Sequence, residues 1–350
     1  MLMVVMYHVM GHGKIISAAK AYPEKYWVLI FLNCIVFCAV NCFALISGYV
    51  GVVSKYKVKN LALLYCRVAF YSIIISVVFK VIWPDSIGNG NIVLSFFPFI
   101  TKQYWYFSCY VILFLFIPIL NSALNRLSQK KMAVLLIAII FVTSMMLPAF
   151  SLFISDWTGL RQGFSPWWLM IIYLIGGYIR RYGMMARVRT GFLFLLFLLS
   201  VSLTVMFMAL FQVTTEKLFG GVQDDSQFIS YLSITVLASA VLLLLLFERL
   251  DFKPGLIKVI SFMSPLAFSV YLIHDAVLIR EWFITDKFTW IAELPLYMMI
   301  PMLFAVVLGI YILCSALDLI RHYLFKWLFL GNRLSNLEEQ VKQRLFANRH

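Results

Sequence analysis

The chain has 350 residues, of which 63% are hydrophobic and only 13% are charged, and its mean hydropathy is +0.94. This composition excludes an ordinary soluble domain and indicates a protein that crosses a membrane several times. The formal net charge of +14 is also compatible with a nucleic-acid ligand, but basic residues in a membrane protein more often mark its cytoplasmic loops. Their distribution along the chain decides between these explanations.

Apolar segments of about the length that crosses a hydrocarbon core follow one another along the chain. Ten are predicted: one ending at Met10, and others at residues 27–52, 61–83, 104–120, 132–154, 165–179, 191–211, 228–247, 256–279 and 294–320. The predicted fold is therefore an all-α, polytopic bundle of about ten transmembrane helices over residues 1–325. Residues 326–350 contain SNLE, a capping-box pattern, among apolar residues at helical spacing, which predicts an amphipathic cytoplasmic tail.

The loops between these segments divide into two sets by their charge. One alternate set, together with the tail, holds nineteen Lys and Arg residues, whereas the other set holds seven. By the positive-inside rule the first set faces the cytoplasm, so both termini are expected there. This bias accounts for the net charge, and no nucleic-acid partner is predicted.

The opening sequence MLMVVMYHVMGH places one imidazole, His8, in an otherwise apolar run. Ten residues of helix cover only about half of a hydrocarbon core, so we expect the natural first helix to begin further upstream. A signal peptide is the competing interpretation, but no basic residue precedes the run. The predicted orientation puts His8 in the outer half of the membrane. There a neutral imidazole can accept a proton, and a purely structural hydrogen bond to another helix is an equally good explanation.

Other polar residues in the apolar segments have open interpretations. His12 forms an HxxxH pair with His8, but no third ligand lies near it in the sequence, so no metal site is predicted. His274 is a second imidazole within a span, and its neighbour Asp275 projects about 100° away on a helix, which favours a partner on another segment. Arg67, two turns into the third span, either extends to the cytoplasmic surface or binds an anion.

Two further groups lie at predicted span ends. The sequence QYWY at residues 103–106 opens the fourth span, where an aromatic belt is expected and where rings can also stack on sugars. Arg180 and Arg181 end the sixth span, where they suit anionic lipids or the phosphates of a cytoplasmic ligand. Asp318, near the end of the last span, is expected to pair with Arg321. The six cysteines all lie in apolar segments without a CxxC pair, so no disulfide framework is predicted.

Several separated stretches together resemble the family-three membrane acyltransferases, bacterial integral membrane enzymes that O-acetylate cell-surface glycans. The matching stretches are MLMVVMYH, FALISGY, the helix with Arg67, WYFSCYVILFLFIPILN and SVYLIH. The resemblance implies a multi-pass protein of the bacterial cytoplasmic (inner) membrane. Its implied partners are the lipid bilayer and a glycan or lipid-linked sugar acceptor, and a homo-oligomer is left open.

The resemblance also implies roles for individual residues, with His8 as the catalytic residue and acetyl-CoA as the donor, without a metal. The residues assigned to the donor are Arg67, Arg180, Arg181, Lys59, Ser47 and Gly48. Those assigned to the acceptor are Trp105, Tyr106, His274, Tyr271 and His12. The RxxR pattern of the family is only half present, since Leu64 stands in its first position. An arginine that the family places before the histidine would precede Met1.

The implied reaction moves an acetyl group from cytoplasmic acetyl-CoA to a hydroxyl of an extracytoplasmic or lipid-linked cell-surface polysaccharide. His8 would act as a general base or would carry the acyl group itself, and the sequence leaves both routes open. The alternative function is a transporter or flippase of a polyprenol-linked glycan, in which the same imidazoles and arginines line a path. A membrane scaffold without activity is the third interpretation.

Overall fold

The computed structural model describes residues 1–101, 103–147, 158–220 and 228–346. Within these ranges the regular structure is helical and no strand is present. The α-helices are α1 (Leu2–Gly11), α2 (Ile15–Ala19), α3 (Pro23–Phe37), α4 (Ala39–Gly51), α5 (Val58–Ile82), α6 (Asn89–Leu94), α7 (Trp105–Arg126), α8 (Gln129–Ile140), α9 (Pro166–Tyr182), α10 (Thr190–Phe219), α11 (Ile234–Glu248), α12 (Pro254–His274), α13 (Val277–Phe283), α14 (Leu296–Trp327) and α15 (Leu330–Phe346).

Seven segments of the described chain are long and apolar enough to cross a membrane. They are Pro23–Gly51, Val58–Ile82, Trp105–Arg126, Gln129–Met146, Thr190–Leu218, Pro254–His274 and Leu296–Trp327. Two shorter apolar helices, α1 and α11, lie where the first and eighth spans are predicted, and α9 lies at the sixth. The expected all-helical, polytopic membrane protein is therefore confirmed. The number of ten spans and the cytoplasmic location of both termini stay predictions.

The helices differ from several predicted spans in their bounds. The second span has a break at Cys38, and α10 continues to Phe219, beyond the predicted end at residue 211. The predicted ninth span continues to residue 279, whereas α12 ends at His274 because Asp275 and Ala276 leave helical geometry. The fifth span, predicted to residue 154, extends beyond the described residues.

The chain forms two compact units, and the first comprises Met1–Ile15, Tyr56–Ser108 and Phe252–His350. In this unit α14 packs against α1, α12 and α15, and α5 packs against α12 and α15. The tail helix α15 is joined to α5 by a hydrogen bond of 2.7 Å from Lys59 Nζ to Ser335 Oγ. The predicted boundary between a membrane domain at residues 1–325 and a tail at residues 326–350 stays a prediction. The two compact units do not divide the chain at this boundary.

A buried ion pair within α14 is connected to α5 by a tyrosine in the first unit. Arg321 donates from Nε and Nη2 to the two Asp318 oxygens at 2.6 and 2.7 Å, which confirms the expected pairing. Tyr71 Oη donates to Asp318 Oδ1 at 2.5 Å. The Asp318 and Arg321 side chains are 0% and 3% exposed. Such a pair persists away from water because the two charges form paired hydrogen bonds with each other and Asp318 also accepts from Tyr71.

The second unit comprises Ile16–Lys55 and Cys109–Asp251, and α4 and α9 are its most closely packed helices. A Cβ atom on Gly48 would lie 1.9 Å from the Tyr173 carbonyl oxygen, and one on Gly176 would lie 2.0 Å from the Leu45 carbonyl oxygen. Glycine at both positions is what lets the two backbones approach. The small residues that end the second predicted span thus serve helix packing.

Candidate functional site

The C-terminal end of α1 is fixed by the loop that follows α13. The backbone N–H of Asp286 donates to the His12 carbonyl at 3.0 Å, and that of Phe288 donates to the Gly13 carbonyl at 3.3 Å. A Cβ atom on Gly13 would lie 2.9 Å from the Phe288 ring, so this approach requires glycine. The last turn of α1, which carries His8, and His12, which directly follows it, are therefore held in place.

His274 is buried at the end of α12, and its ring lies between a backbone carbonyl and His8. Its Nδ1 lies 2.5 Å from the Val270 carbonyl oxygen, and its Nε2 lies 2.9 Å from His8 Nδ1. A carbonyl oxygen only accepts hydrogen bonds, so His274 carries its proton on Nδ1 and its Nε2 is an acceptor.

This arrangement determines the tautomer of His8. Because His274 Nε2 accepts, His8 must donate from Nδ1, and its lone pair then lies on Nε2. The contact between the two rings is confirmed by a separation of 5.1 Å between their centroids. The network thus presents His8 as a base at Nε2, with its other nitrogen held by a neutral partner.

Asp275 places a carboxylate beside this pair. Its Oδ1 lies 3.6 Å from His8 Nδ1 and accepts a hydrogen bond from Arg280 Nη1 at 3.1 Å. The expectation that Asp275 contacts a different segment rather than orienting His274 is confirmed. Burial raises the pKa of Asp275 above its usual range, and the neighbouring His274 and Arg280 act in the opposite direction. If His8 takes up a proton, the resulting positive charge is attracted to the adjacent Asp275 carboxylate.

His12 lies one turn after His8, with their ring centroids 5.3 Å apart. Its partial burial and the charge of Arg280 lower the pKa of His12, so its neutral form is favoured. One ligand atom each from His8, His12 and Asp275 lie within 4.8 Å of one another. The fold thus brings Asp275, from a distant part of the sequence, beside the HxxxH pair as a third candidate ligand, and the absence of a metal site stays a prediction.

The aromatic residues around the end of α12 have different environments. Tyr104 is completely buried and donates from Oη to the Leu272 carbonyl at 2.9 Å, so its predicted place in an exposed aromatic belt is wrong. Its ring contacts that of Tyr271 at 5.8 Å, which fixes the turn of α12 before His274. Trp105 and Tyr106 are partly exposed and pack edge to face at 5.6 Å.

Two residues assigned to the donor, Arg67 and Lys59, lie on α5 in the first unit. Arg67 Nη1 donates to the Pro265 carbonyl at 3.1 Å, whereas its Nε is buried and has no hydrogen-bond partner among the described residues. Lys59 is bound to the tail helix through Ser335, and its backbone N–H donates to Glu338 at 3.3 Å. Arg67 thus keeps an unused donor inside the helices.

The other residues assigned to the donor lie in the second unit. Arg180 Nη1 donates to Tyr49 Oη at 3.0 Å, and Arg181 donates to Asn125. Ser47 donates to the Phe43 carbonyl at 2.9 Å, and Gly48 lies against Tyr173 as described above. Both arginines remain exposed, whereas Ser47 and Gly48 have structural roles within their own helix pair.

Arg280 is the member of the His8 cluster to which the sequence analysis assigns no role. It lies five residues after Asp275, beyond the helix break that the apolar pattern conceals. The usable signal was charge: Asp275 lies in a predicted apolar span and Arg280 directly follows that span, and ionisable residues in such places usually need partners.

Comparison with known families gave one finding that covers nearly the entire chain. A family model described as an acyltransferase domain matches residues 1–330, which include α1 with His8 and α12 with His274. No curated protein and no solved structure gave a match. The extent of the family match, together with the apolar spans, shows that the chain is a multi-pass membrane protein with acyltransferase activity that belongs to the family-three acyltransferases.

Proposed function

We propose that the protein transfers an acetyl group from cytoplasmic acetyl-CoA to a hydroxyl group of an extracytoplasmic or lipid-linked cell-surface polysaccharide, and that it does so in a bacterial inner membrane. The observation that carries this proposal is the hydrogen bond between His8 Nδ1 and His274 Nε2. It supports a neutral His8 with its lone pair on Nε2, the state that a general base for an alcohol requires.

The reaction then needs one proton acceptor. His8 Nε2 removes the hydroxyl proton as the acceptor oxygen attacks the thioester carbon, and the new C–O bond forms. The C–S bond breaks as the tetrahedral intermediate collapses, and the departing CoA thiolate takes the proton from His8. Since the Nδ1–H of His8 stays bonded to His274 throughout, the base returns to its starting tautomer. A positioned general base contributes about 10²- to 10⁴-fold in rate.

Asp275 and Arg280 act as positioning residues in this scheme. While His8 holds the proton it is a cation, and Asp275 Oδ1 is 3.6 Å from its Nδ1. Arg280 fixes the carboxylate from the other side at 3.1 Å. The carboxylate therefore stabilises the protonated state of His8 more than its neutral state, which is the differential stabilisation that raises a rate.

Donor binding is assigned first to Arg67. Its buried Nε without a described partner is a donor that a CoA phosphate can satisfy, and Lys59 on the same helix adds a second positive charge. The resemblance also assigns Arg180 and Arg181 to donor binding, whereas Ser47 and Gly48, which it likewise assigns, serve helix packing. The acceptor sugar is assigned to Trp105, Tyr106, Tyr271 and His12, since aromatic faces suit sugar rings and imidazoles bind hydroxyls. His274, which the resemblance also assigns to the acceptor, uses both ring nitrogens within the protein, so we assign it to positioning His8.

The test of the catalytic assignment is His8→Ala, with His322→Ala as its matched control on α14. Acetyl transfer from radiolabelled acetyl-CoA to membrane-associated glycan is measured in vesicles, and thermal unfolding in detergent checks the fold. We expect His8→Ala to reduce transfer by about 10²- to 10⁴-fold and His322→Ala to retain it. Normal transfer by a folded His8→Ala protein would remove His8 from its role.

Donor binding has a test that needs no acceptor. By mass action, CoA at 100 times its Kd stabilises the folded protein by about 2.7 kcal/mol, which raises the melting temperature in detergent. Arg67→Ala should weaken this response, whereas the exposed Arg187→Ala should not. A transporter of glycan lipids would respond to the glycan lipid and not to CoA, so an unchanged melting temperature favours that alternative.

A further inference from the structure

We propose that the end of α1 is also a binding site for a transition-metal dication, with Zn²⁺ as the best-fitting ion, and that the bound ion switches the transferase off. The ligands are His8, His12 and Asp275, whose ligand atoms lie within 4.8 Å of one another. The inhibitory half of this proposal rests on the proposed function, whereas the binding half is measured without any transfer reaction.

The donor set selects the class of ion. Two histidines at positions i and i+4 lie on one face of α1, and a carboxylate reaches them from the end of α12. Two imidazoles and one carboxylate on such a frame are typical of sites that hold Zn²⁺ through three protein ligands and leave a further position open. Mg²⁺ and Ca²⁺ prefer all-oxygen shells, so the two imidazoles select against them.

The groups around these ligands hold them as metal sites usually require. His8 donates its Nδ1–H to His274 at 2.9 Å, and His274 is itself fixed on the Val270 carbonyl. Asp275 Oδ1 accepts from Arg280, which leaves its second oxygen for an ion. Hydrogen bonds of this kind orient the ligands and commonly contribute 10- to 100-fold, roughly, in metal affinity.

Inhibition follows because the metal and the substrate proton compete for His8. If the ion takes Nε2, it occupies the lone pair that removes the hydroxyl proton. If it takes Nδ1, it displaces the bond to His274 and the ring proton moves to Nε2, so the base is again lost. With either coordination, His8 can no longer accept the hydroxyl proton at Nε2. His12 takes no part in the proton transfer but is assigned to acceptor binding, so the metal response of a His12 variant is compared with the metal-free rate of the same variant.

The experiment uses the full chain in detergent after treatment with a chelator. Zn²⁺ affinity is measured by calorimetry and by competition with a zinc indicator, and Co²⁺ is added as a spectroscopic probe of a low-coordinate nitrogen and oxygen site. His12→Gln should weaken Zn²⁺ binding by at least about 10-fold, and His322→Gln, the matched control, should leave it unchanged. Asp275→Asn is the second ligand variant, so the test does not depend on the folding of one protein.

Transfer is then measured against free Zn²⁺ and expressed relative to the metal-free rate of each protein. We expect wild-type transfer to fall as the site fills and to recover with chelator, and His12→Gln to need more Zn²⁺ in proportion to its weaker affinity. The proposal is overturned if Zn²⁺ does not bind, if His12→Gln and Asp275→Asn bind it as tightly as wild type, or if the bound ion leaves transfer unchanged or increases it. Failure of the wild-type protein to bind Zn²⁺, with normal His8-dependent transfer, would overturn this inference and leave the proposed function standing.

Discussion

Replacing Asp275 by asparagine removes the negative charge beside His8 and keeps the shape of the side chain. The amide oxygen can still accept from Arg280 Nη1, which lies 3.1 Å from the native Oδ1. The substitution therefore isolates the electrostatic contribution of the carboxylate from its part in packing. The reaction step that feels the change is the one in which His8 carries the proton.

The size of the effect follows from the distance between the two groups. For unit charges 3.6 Å apart, the interaction is about 1 kcal/mol in bulk water and about 4.6 kcal/mol at an effective dielectric constant of about 20. Because the two side chains are only 10% and 12% exposed, the effective constant lies well below that of water. We therefore expect kcat to fall by roughly 100-fold, which corresponds to about 2.7 kcal/mol.

The assay is steady-state acetyl transfer with both substrates varied, in the presence of chelator so that no metal contributes. The expected change is in kcat, with the KM values for donor and acceptor nearly unchanged, because the lost interaction exists only when His8 is protonated. Glu281→Gln is the matched control. Glu281 contacts Arg280 at 3.4 Å and is 52% exposed, and its neutralisation should leave kcat within about 2-fold, as expected for an exposed ion pair.

Three results would refute this reasoning. If Asp275→Asn retains the wild-type kcat, the carboxylate does not stabilise a protonated His8. If the variant raises KM alone, Asp275 binds substrate and does not act through His8. An equal loss of kcat in Glu281→Gln would show that any charge change near Arg280 suffices.

Two further predictions concern stability. Gly48→Ala should lower the free energy of unfolding by about 1–3 kcal/mol, because the added Cβ would lie 1.9 Å from the Tyr173 carbonyl oxygen. Gly309→Ala is the control and should not destabilise the protein, because nothing lies within 4 Å of its added Cβ. Equal melting temperatures for the two variants would contradict the close packing. Asp318→Asn should lower the free energy of unfolding by about 3–5 kcal/mol, because Arg321 is left as an uncompensated buried charge. The double variant Asp318→Leu with Arg321→Met should recover most of this loss. Thermal unfolding in detergent measures both effects.

The helical class and the two buried imidazoles of the candidate site could be predicted without coordinates. The excess of apolar residues requires membrane spans, and in a bilayer a span of this kind must be helical because its backbone groups find no water. His8 and His274 were identifiable because ionisable residues are rare in such spans. The pairing of Asp318 with Arg321 was also predictable, since three residues on a helix place both side chains on one face.

The break after His274, the burial of Tyr104 and the role of Arg280 needed the structure. All three depend on contacts between segments that are far apart in the sequence, and hydropathy carries no information about such contacts. The apolar pattern continues smoothly past Asp275, so it predicts one long span where the chain turns. The apolar pattern also predicts Tyr104 at the membrane boundary because Tyr104 begins a span, whereas packing against Tyr271 buries its side chain inside the protein.

The sequence by itself determined that this is a polytopic helical membrane protein with imidazoles inside it, because composition and helical periodicity are local properties. Only the tertiary structure decided which nitrogen of His8 is free. That choice depends on a chain of hydrogen bonds from Val270 through His274, and the direction of each bond is fixed by the acceptor at its far end. The same folding brought Asp275 to the HxxxH pair across more than two hundred residues, a proximity that no local pattern encodes.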